Sequence, residues 1–261
     1  MDAVYRVDGN RVVTSPNAAG PWDPRMQHGS APAALVVWAA ETIATPVPMQ
    51  IARVTIDLMR PVPVAPLTVH SEVLREGRKI QLCAIKLFAE DVAVVSATVL
   101  KIKTQALVLP PDVRDQPVEL PGPDRAREEK VDFSNSPFVT GISLRAARGA
   151  FGVPGPGAIW YRVDRPLVED AQVSQAMRAV VAADFCNGTS AALDFRQWTF
   201  INADLTVSFA RQPLGEWILL DAESWIGPDG AGLSRLHLVD QFLRKGAPGA
   251  PLRVTTGSPA L

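Results

Sequence analysis

Cysteine and histidine are both scarce in this 261-residue chain, with two of the first and three of the second. Cys83 and Cys186 lie in apolar stretches of different halves and share no metal-ligand spacing. Buried thiols are therefore expected, rather than a disulfide, a zinc site or a cysteine nucleophile. Charge imbalance is missing as well: a formal net charge of -1 leaves no footprint for nucleic acid or an acidic membrane. Long hydrophobic runs are absent too. The longest apolar stretch near the N-terminus, Ala31 to Ala40, is too short to span a bilayer. The residues before it lack the basic-then-apolar order of a signal peptide, so a cytoplasmic protein is expected, with no metal or cofactor.

What the sequence does have is a large apolar fraction and a repeat. With 47% hydrophobic and 20% charged residues the chain can bury a sizeable core. The stretch Val54-Thr55-Ile56-Asp57-Leu58-Met59-Arg60-Pro61 has a counterpart in Leu205-Thr206-Val207-Ser208-Phe209-Ala210-Arg211-Gln212-Pro213. Leu67 to Val73 likewise matches Ile218 to Ser224. Thr55 with Thr206, Arg60 with Arg211 and Glu72 with Glu223 keep one spacing, 206 − 55 = 151 positions, with no gap across the segment. Apolar runs entering a Pro-containing turn and leaving in a second extended run are the pattern of paired antiparallel strands. The chain reads as two half-domains of one design, and a fused duplication is free to keep chemistry in one half only.

Each half has the same order of elements. In the first, Val4 to Val7 and Arg11 to Val13 are strands broken at Gly9-Asn10. A helix follows the loop Trp22 to Gly29, with Ser30 as the expected N-cap and Pro32 in its first turn. That helix is apolar all round and must be wrapped by other structure. Strands at Val54 to Arg60, Leu67 to Leu74, Ile80 to Ala89 and Val92 to Lys103, separated by short polar turns, supply the wrapping. In the second half the expected strand is Ala158 to Val163 and the helix Gln172 to Phe185. Further strands follow at Thr199 to Phe209, Glu216 to Trp225, Gly232 to Val239 and Leu252 to Thr255. An insert, Cys186-Asn187-Gly188-Thr189-Ser190, has no first-half counterpart. The expected units are residues 1–109 and 136–261, joined by a Pro-rich connector at 110–135.

Particular motifs resemble a known family. They are His28-Gly29-Ser30 opening an apolar helix, Leu74 to Leu82, Phe200-Ile201-Asn202-Ala203-Asp204-Leu205-Thr206-Val207, Gly215-Glu216-Trp217-Ile218, and Ile226-Gly227-Pro228-Asp229-Gly230. In order and spacing these resemble the thioesterase-like superfamily, and more narrowly its double-hotdog acyl-CoA thioesterases. The resemblance implies an α+β double hotdog, two units each with an antiparallel sheet wrapped around a central helix. It also implies hydrolysis of an acyl-CoA thioester to a free acid and coenzyme A. In that family an Asp, a Thr or Ser and a Gln position and activate the water. The resemblance places the Asp at Asp204 and the hydroxyl at Ser224, and it expects the Gln near Pro251, where none exists. Gln241 is nearest and receives no role.

The chemistry suits a carboxylate, because a thiolate leaves readily and no covalent nucleophile is needed. His28 and Gly29 precede the first helix, where free N–H groups and the helix dipole can polarise a thioester carbonyl, so both are candidate substrate-binding residues. Asp184 is read as the terminator of the second helix, and Asp57 as pointing outward from its strand. The charge run Arg75 to Lys79 is read as an exposed turn. A non-catalytic acyl-CoA-binding protein is the alternative, motivated by the missing Gln. A hotdog hydratase ranks third, because that chemistry wants an Asp and a His close together and His28, His70 and His237 are not so placed in sequence. Apolar outer sheet faces lead to an expected homo-oligomer.

Overall fold

The turn pair Gly9-Asn10 closes a hairpin of β1 (Tyr5–Asp8) and β2 (Arg11–Thr14). Helix α1 (Ser30–Thr42) follows, buried on nearly every side, as its uniformly apolar sequence requires. Strands β3 (Met49–Leu58), β4 (Leu67–Glu76), β5 (Ile80–Ala89) and β6 (Val92–Lys103) complete the first half. The second half runs β7 (Arg127–Glu128), β8 (Ile142–Arg148), β9 (Gly157–Val163), α2 (Gln175–Asp184), α3 (Cys186–Thr189), β10 (Asp204–Ser208), β11 (Trp217–Ile226), β12 (Ala231–Asp240) and β13 (Leu252–Pro259). This computed structural model describes residues 2–106, 108, 110, 118–130, 132–133, 135–199 and 201–240, and the backbone of 252–259.

All named strands join one 13-stranded antiparallel sheet, in the order β1-β2-β4-β5-β6-β3-β10-β13-β12-β11-β9-β8-β7. The halves meet where β3 pairs with β10, and their register carries the mark of duplication. Thr55 lies opposite Thr206, its own repeat partner. The pair Val54–Val207 exchanges with Leu205–Ile56 under the 151-residue offset. The Leu58 amide donates to the Ala203 carbonyl and the Phe209 amide to the Ala52 carbonyl, both at 2.8 Å, and the same offset interchanges these two bonds. A pseudo-twofold axis therefore passes between Thr55 and Thr206. Side chains alternate along each strand, so Val54, Ile56, Leu205 and Val207 face the common core with both helices, while Arg53, Thr55, Asp57, Asp204 and Thr206 take the other face.

Several boundaries differ from expectation for local reasons. Gly29, not Ser30, is the cap of α1. Ser30 lies inside the first turn and spends its hydroxyl on a tertiary partner instead. Helix α2 starts at Gln175 because the Ser174 hydroxyl accepts the Met177 amide at 3.1 Å as its N-cap. The expected strand Thr199 to Phe209 shortens to β10, since the side chain of Asn202 is drawn toward the end of α2. Strand β8 was not foreseen. Connector residues 111–117 lie outside the described residues, but the part after them is built into the fold. Val118 and Leu120 pack on Ala158, Trp160, Trp217 and Leu219, and the Trp160 indole donates to the Pro121 carbonyl at 2.9 Å. The connector thereby covers apolar outer face that the sequence alone leaves bare. No helix among the described residues is long and apolar enough to cross a membrane.

Candidate active site

The pseudo-twofold sets the two main helices against each other, with the start of α1 facing the last residue of α2. That residue is Asp184. Its side chain is 5% exposed, and it stands at a helix C-terminus, where the dipole disfavours a negative charge. Such a carboxylate needs compensation. Three side chains supply it: Ser30 donates to Oδ2 at 2.9 Å, Asn202 donates to Oδ1 at 2.8 Å, and His28 Nδ1 lies 3.1 Å from Oδ2. The Ser30 amide also points at Nδ1, at 3.2 Å, a contact only an unprotonated nitrogen would accept. The ionised carboxylate is the stronger partner, so the ring proton belongs on Nδ1 and Nε2 is left as the other nitrogen.

Burial alone would push the Asp184 pKa up, but the His28 bond and charge, followed by Asn202 and Ser30, outweigh it and hold the acid below the usual carboxylate value. The linkage has a definite sign. A lowered folded-state pKa contributes stability that is present above the unfolded value, about 3.9. That contribution is lost as pH falls through the folded value. The melting temperature of the wild type is expected to fall on acidification below about pH 4 more steeply than that of Asp184→Asn. Parallel acid limbs in thermal melts would count against this.

His28 is held from all sides. Its amide donates to the Ala18 carbonyl at 2.9 Å. Its ring stacks on Phe138 (centroids 5.1 Å apart) and on Phe185 (4.7 Å). Gly29 is required by close approach: a Cβ there would lie 2.8 and 2.9 Å from the two Asp184 carboxylate oxygens. Any side chain would push the carboxylate off its partners.

The insert of the second half completes the site. It forms α3, which packs against β9, β11 and β12. Ser190 and Ser224 hydroxyls lie 2.7 Å apart, and Ser224 and Ser234 lie 2.6 Å apart. Ser234 donates to Asn187 Oδ1 at 3.2 Å, Asn187 donates to Asn202 Oδ1 at 2.7 Å, and Asn202 donates to Asp184. A hydroxyl has one proton, so Ser234 giving its own to Asn187 makes Ser224 the donor to Ser234. Every donor along the chain Ser224, Ser234, Asn187, Asn202 then points toward Asp184, and each bond polarises the next.

Of the residues singled out from sequence, His28, Gly29 and Ser224 converge on this centre, Ser224 through intermediaries. Asp204 does not. It begins β10 on the face away from the helices, with Asp57 as its partner across β3. The Pro251 and Gln241 positions lie outside the described residues. Asp184 does end its helix as expected, yet its carboxylate is the hub of the network. A signal for it was present: Ala182-Ala183-Asp184 matches Ala39-Ala40-Glu41 at the end of α1, and Ser174 hydrogen-bonds Glu41 from the start of α2 much as Ser30 bonds Asp184.

An acyl-CoA thioesterase N-terminal domain matches residues 18–102, and an acyl-CoA thioesterase C-terminal domain matches residues 113–242. The chain belongs to the acyl-CoA thioesterase family. No curated protein matches it in sequence. Among solved structures, a conserved protein of unknown function with the hotdog fold from Alicyclobacillus acidocaldarius is 14% identical, with a TM-score of 0.75 over 98% of this chain and 95% of that one. A candidate thioesterase II from Thermobifida fusca is 15% identical, with a TM-score of 0.72 over 98% and 94%. The acyl-CoA thioesterase II TesB2 from Mycobacterium marinum is also 15% identical, with a TM-score of 0.65 over 98% and 94%. At such identities these likenesses speak for the tandem hotdog fold, and the domain matches speak for the thioesterase family.

Proposed function

We propose that this protein hydrolyses acyl-CoA thioesters to a free acid and coenzyme A, at the centre formed by Asp184 and His28. The observation that carries the reading is the buried, ionised Asp184 meeting His28 across the two halves at 3.1 Å. A water at this pair attacks the thioester carbonyl, and the thiolate leaves without a covalent enzyme intermediate. Gly29, at the positive end of α1, is the proposed contact for the carbonyl oxygen. Ser224 acts at a distance, by orienting Asn202 and hence Asp184. The role first given to Asp204 passes in this proposal to Asp184, because Asp204 stands on the opposite face of the sheet.

The expected result is release of free thiol from a panel of acyl-CoAs. Binding of acyl-CoA without thiol release would favour a non-catalytic binding protein. The His28–Asp184 contact also supplies the close Asp and His that hydration of a 2-enoyl-CoA wants, a pair that the two residues' separation in sequence does not reveal. Loss of the conjugated-enoyl absorbance with no thiol released would favour that second reading.

A further inference from the structure

We infer that His28 Nε2, rather than the Asp184 carboxylate, takes the proton from the attacking water, with Asp184 as the group that fixes the imidazole's tautomer and orientation. This rests on the thioesterase reading of the same site and names its base. The first argument is access. Oδ2 of Asp184 is occupied by Ser30 and His28, and Oδ1 by Asn202. The Gly29 backbone lies so close over both oxygens that a single added carbon would stand 2.8 Å from one and 2.9 Å from the other. A water has no open approach to such a carboxylate. The His28 side chain is 13% exposed against 5% for Asp184, and its two faces are covered by Phe138 and Phe185. What remains exposed is therefore the ring edge, and Nδ1 on that ring is turned to Asp184.

The second argument is basicity. A carboxylate held below its usual pKa is a poor acceptor for a water proton. An imidazole is suited to the task near neutral pH, and an Asp on its Nδ1–H stabilises the imidazolium that forms. The step balances. Nε2 takes one water proton while the oxygen bonds to the carbonyl carbon, giving a tetrahedral oxyanion. Collapse breaks the C–S bond, and the departing thiolate recovers the proton from Nε2–H. The titratable groups of the elements around the ring are Asp184 on α2, Cys186 in α3, Tyr161 on β9, Glu129 beside Phe151, and Arg165, which donates to the Pro137 carbonyl next to Phe138. Tyr161 stays protonated because burial drives its pKa far up.

Three measurements of thiol release from acyl-CoA test this. In the wild type kcat should show a fall on acidification that the His28 variants lack, as a protonatable base at this position requires. His28→Ala should lose roughly 10²–10⁴-fold in kcat, with KM much less changed. Added free imidazole should restore activity to that variant in a dose-dependent way, which a merely structural role would not permit. Circular dichroism confirms its fold, and His28→Gln serves as a second variant if His28→Ala does not fold. The proposal is overturned by a folded His28 variant of near wild-type kcat, by a folded His28→Ala that imidazole does not revive, or by an acid limb unchanged in His28→Gln. A wild type that releases no thiol from any acyl-CoA overturns the thioesterase reading itself, and with it this assignment.

Discussion

Asp184→Asn is expected to lower turnover of acyl-CoA by roughly 10²–10⁴-fold while changing substrate binding little. The amide has the same shape and fits the same cavity, so packing is retained. What it removes is the charge that holds the His28 proton on Nδ1 and stabilises the imidazolium formed in the reaction. Asn202, whose amide now donates to Oδ1, would meet a neutral group, and the polarised chain from Ser224 would lose its terminus. Asp204→Asn is the matched control. It lies half-buried on the outer face of the β3–β10 pair opposite Asp57, away from the His28–Asp184 centre, and its turnover should stay within about twofold of wild type. Equal activity of Asp184→Asn and wild type, with the fold verified by circular dichroism, would remove this centre from the chemistry. A collapse in Asp204→Asn alone would return the role to that residue.

Gly157→Ala should destabilise the fold strongly, since the approach at Gly157 is the shortest at any glycine described. A Cβ at Gly157 would stand 2.0 Å from the backbone carbonyl oxygen of Thr189. No rotamer can relieve that contact, because the backbone fixes the Cβ position and the atom it meets is main chain. Either β9 or α3 must shift, at a cost of about 3 kcal/mol, the upper end for overpacking. For a chain of this size that corresponds to a fall in melting temperature of roughly 6–12 °C. Displacing α3 also moves Asn187 and Ser190, so activity should fall even at temperatures where the variant is folded. A melting temperature within about one degree of wild type would contradict this, as each kcal/mol is worth about 2–4 °C here.

Much of the fold was legible because it depends on local patterns. The period-two runs of Ile80–Ala89 and Val92–Lys103 match their strands end for end. The apolar stretch around Ala31 to Ala40 could only be a wrapped helix, and it is buried as such. The repeat offset did not say which strands join the halves, and the structure puts the repeat partners Thr55 and Thr206 opposite each other on the axis that relates them. Boundaries failed where a side chain was claimed by a distant partner: Ser30 gives its hydroxyl to Asp184 rather than capping its own helix, and the side chain of Asn202 is drawn to Asp184 just before β10 begins. Strand β7, inside the expected connector, forms only because β8 offers it an edge.

The site divides along the same line. Sequence by itself determined the tandem hotdog architecture and the family, and it drew attention to His28, Gly29, Ser224 and the insert at Cys186 to Ser190, since each stands out within a short window of chain. Only the tertiary structure shows which carboxylate is brought to His28. Asp204 and Asp184 are both acidic residues at the end of a regular element, and nothing local separates them. They differ in which side of the sheet they occupy and in what the other half presents to them. Asp184 meets Ser30 across 154 positions of sequence and His28 beyond that. Contacts of that span arise from the packing of one half on the other, so no local spacing rule can report them, and the burial that shapes the chemistry of a carboxylate exists only once that packing has formed.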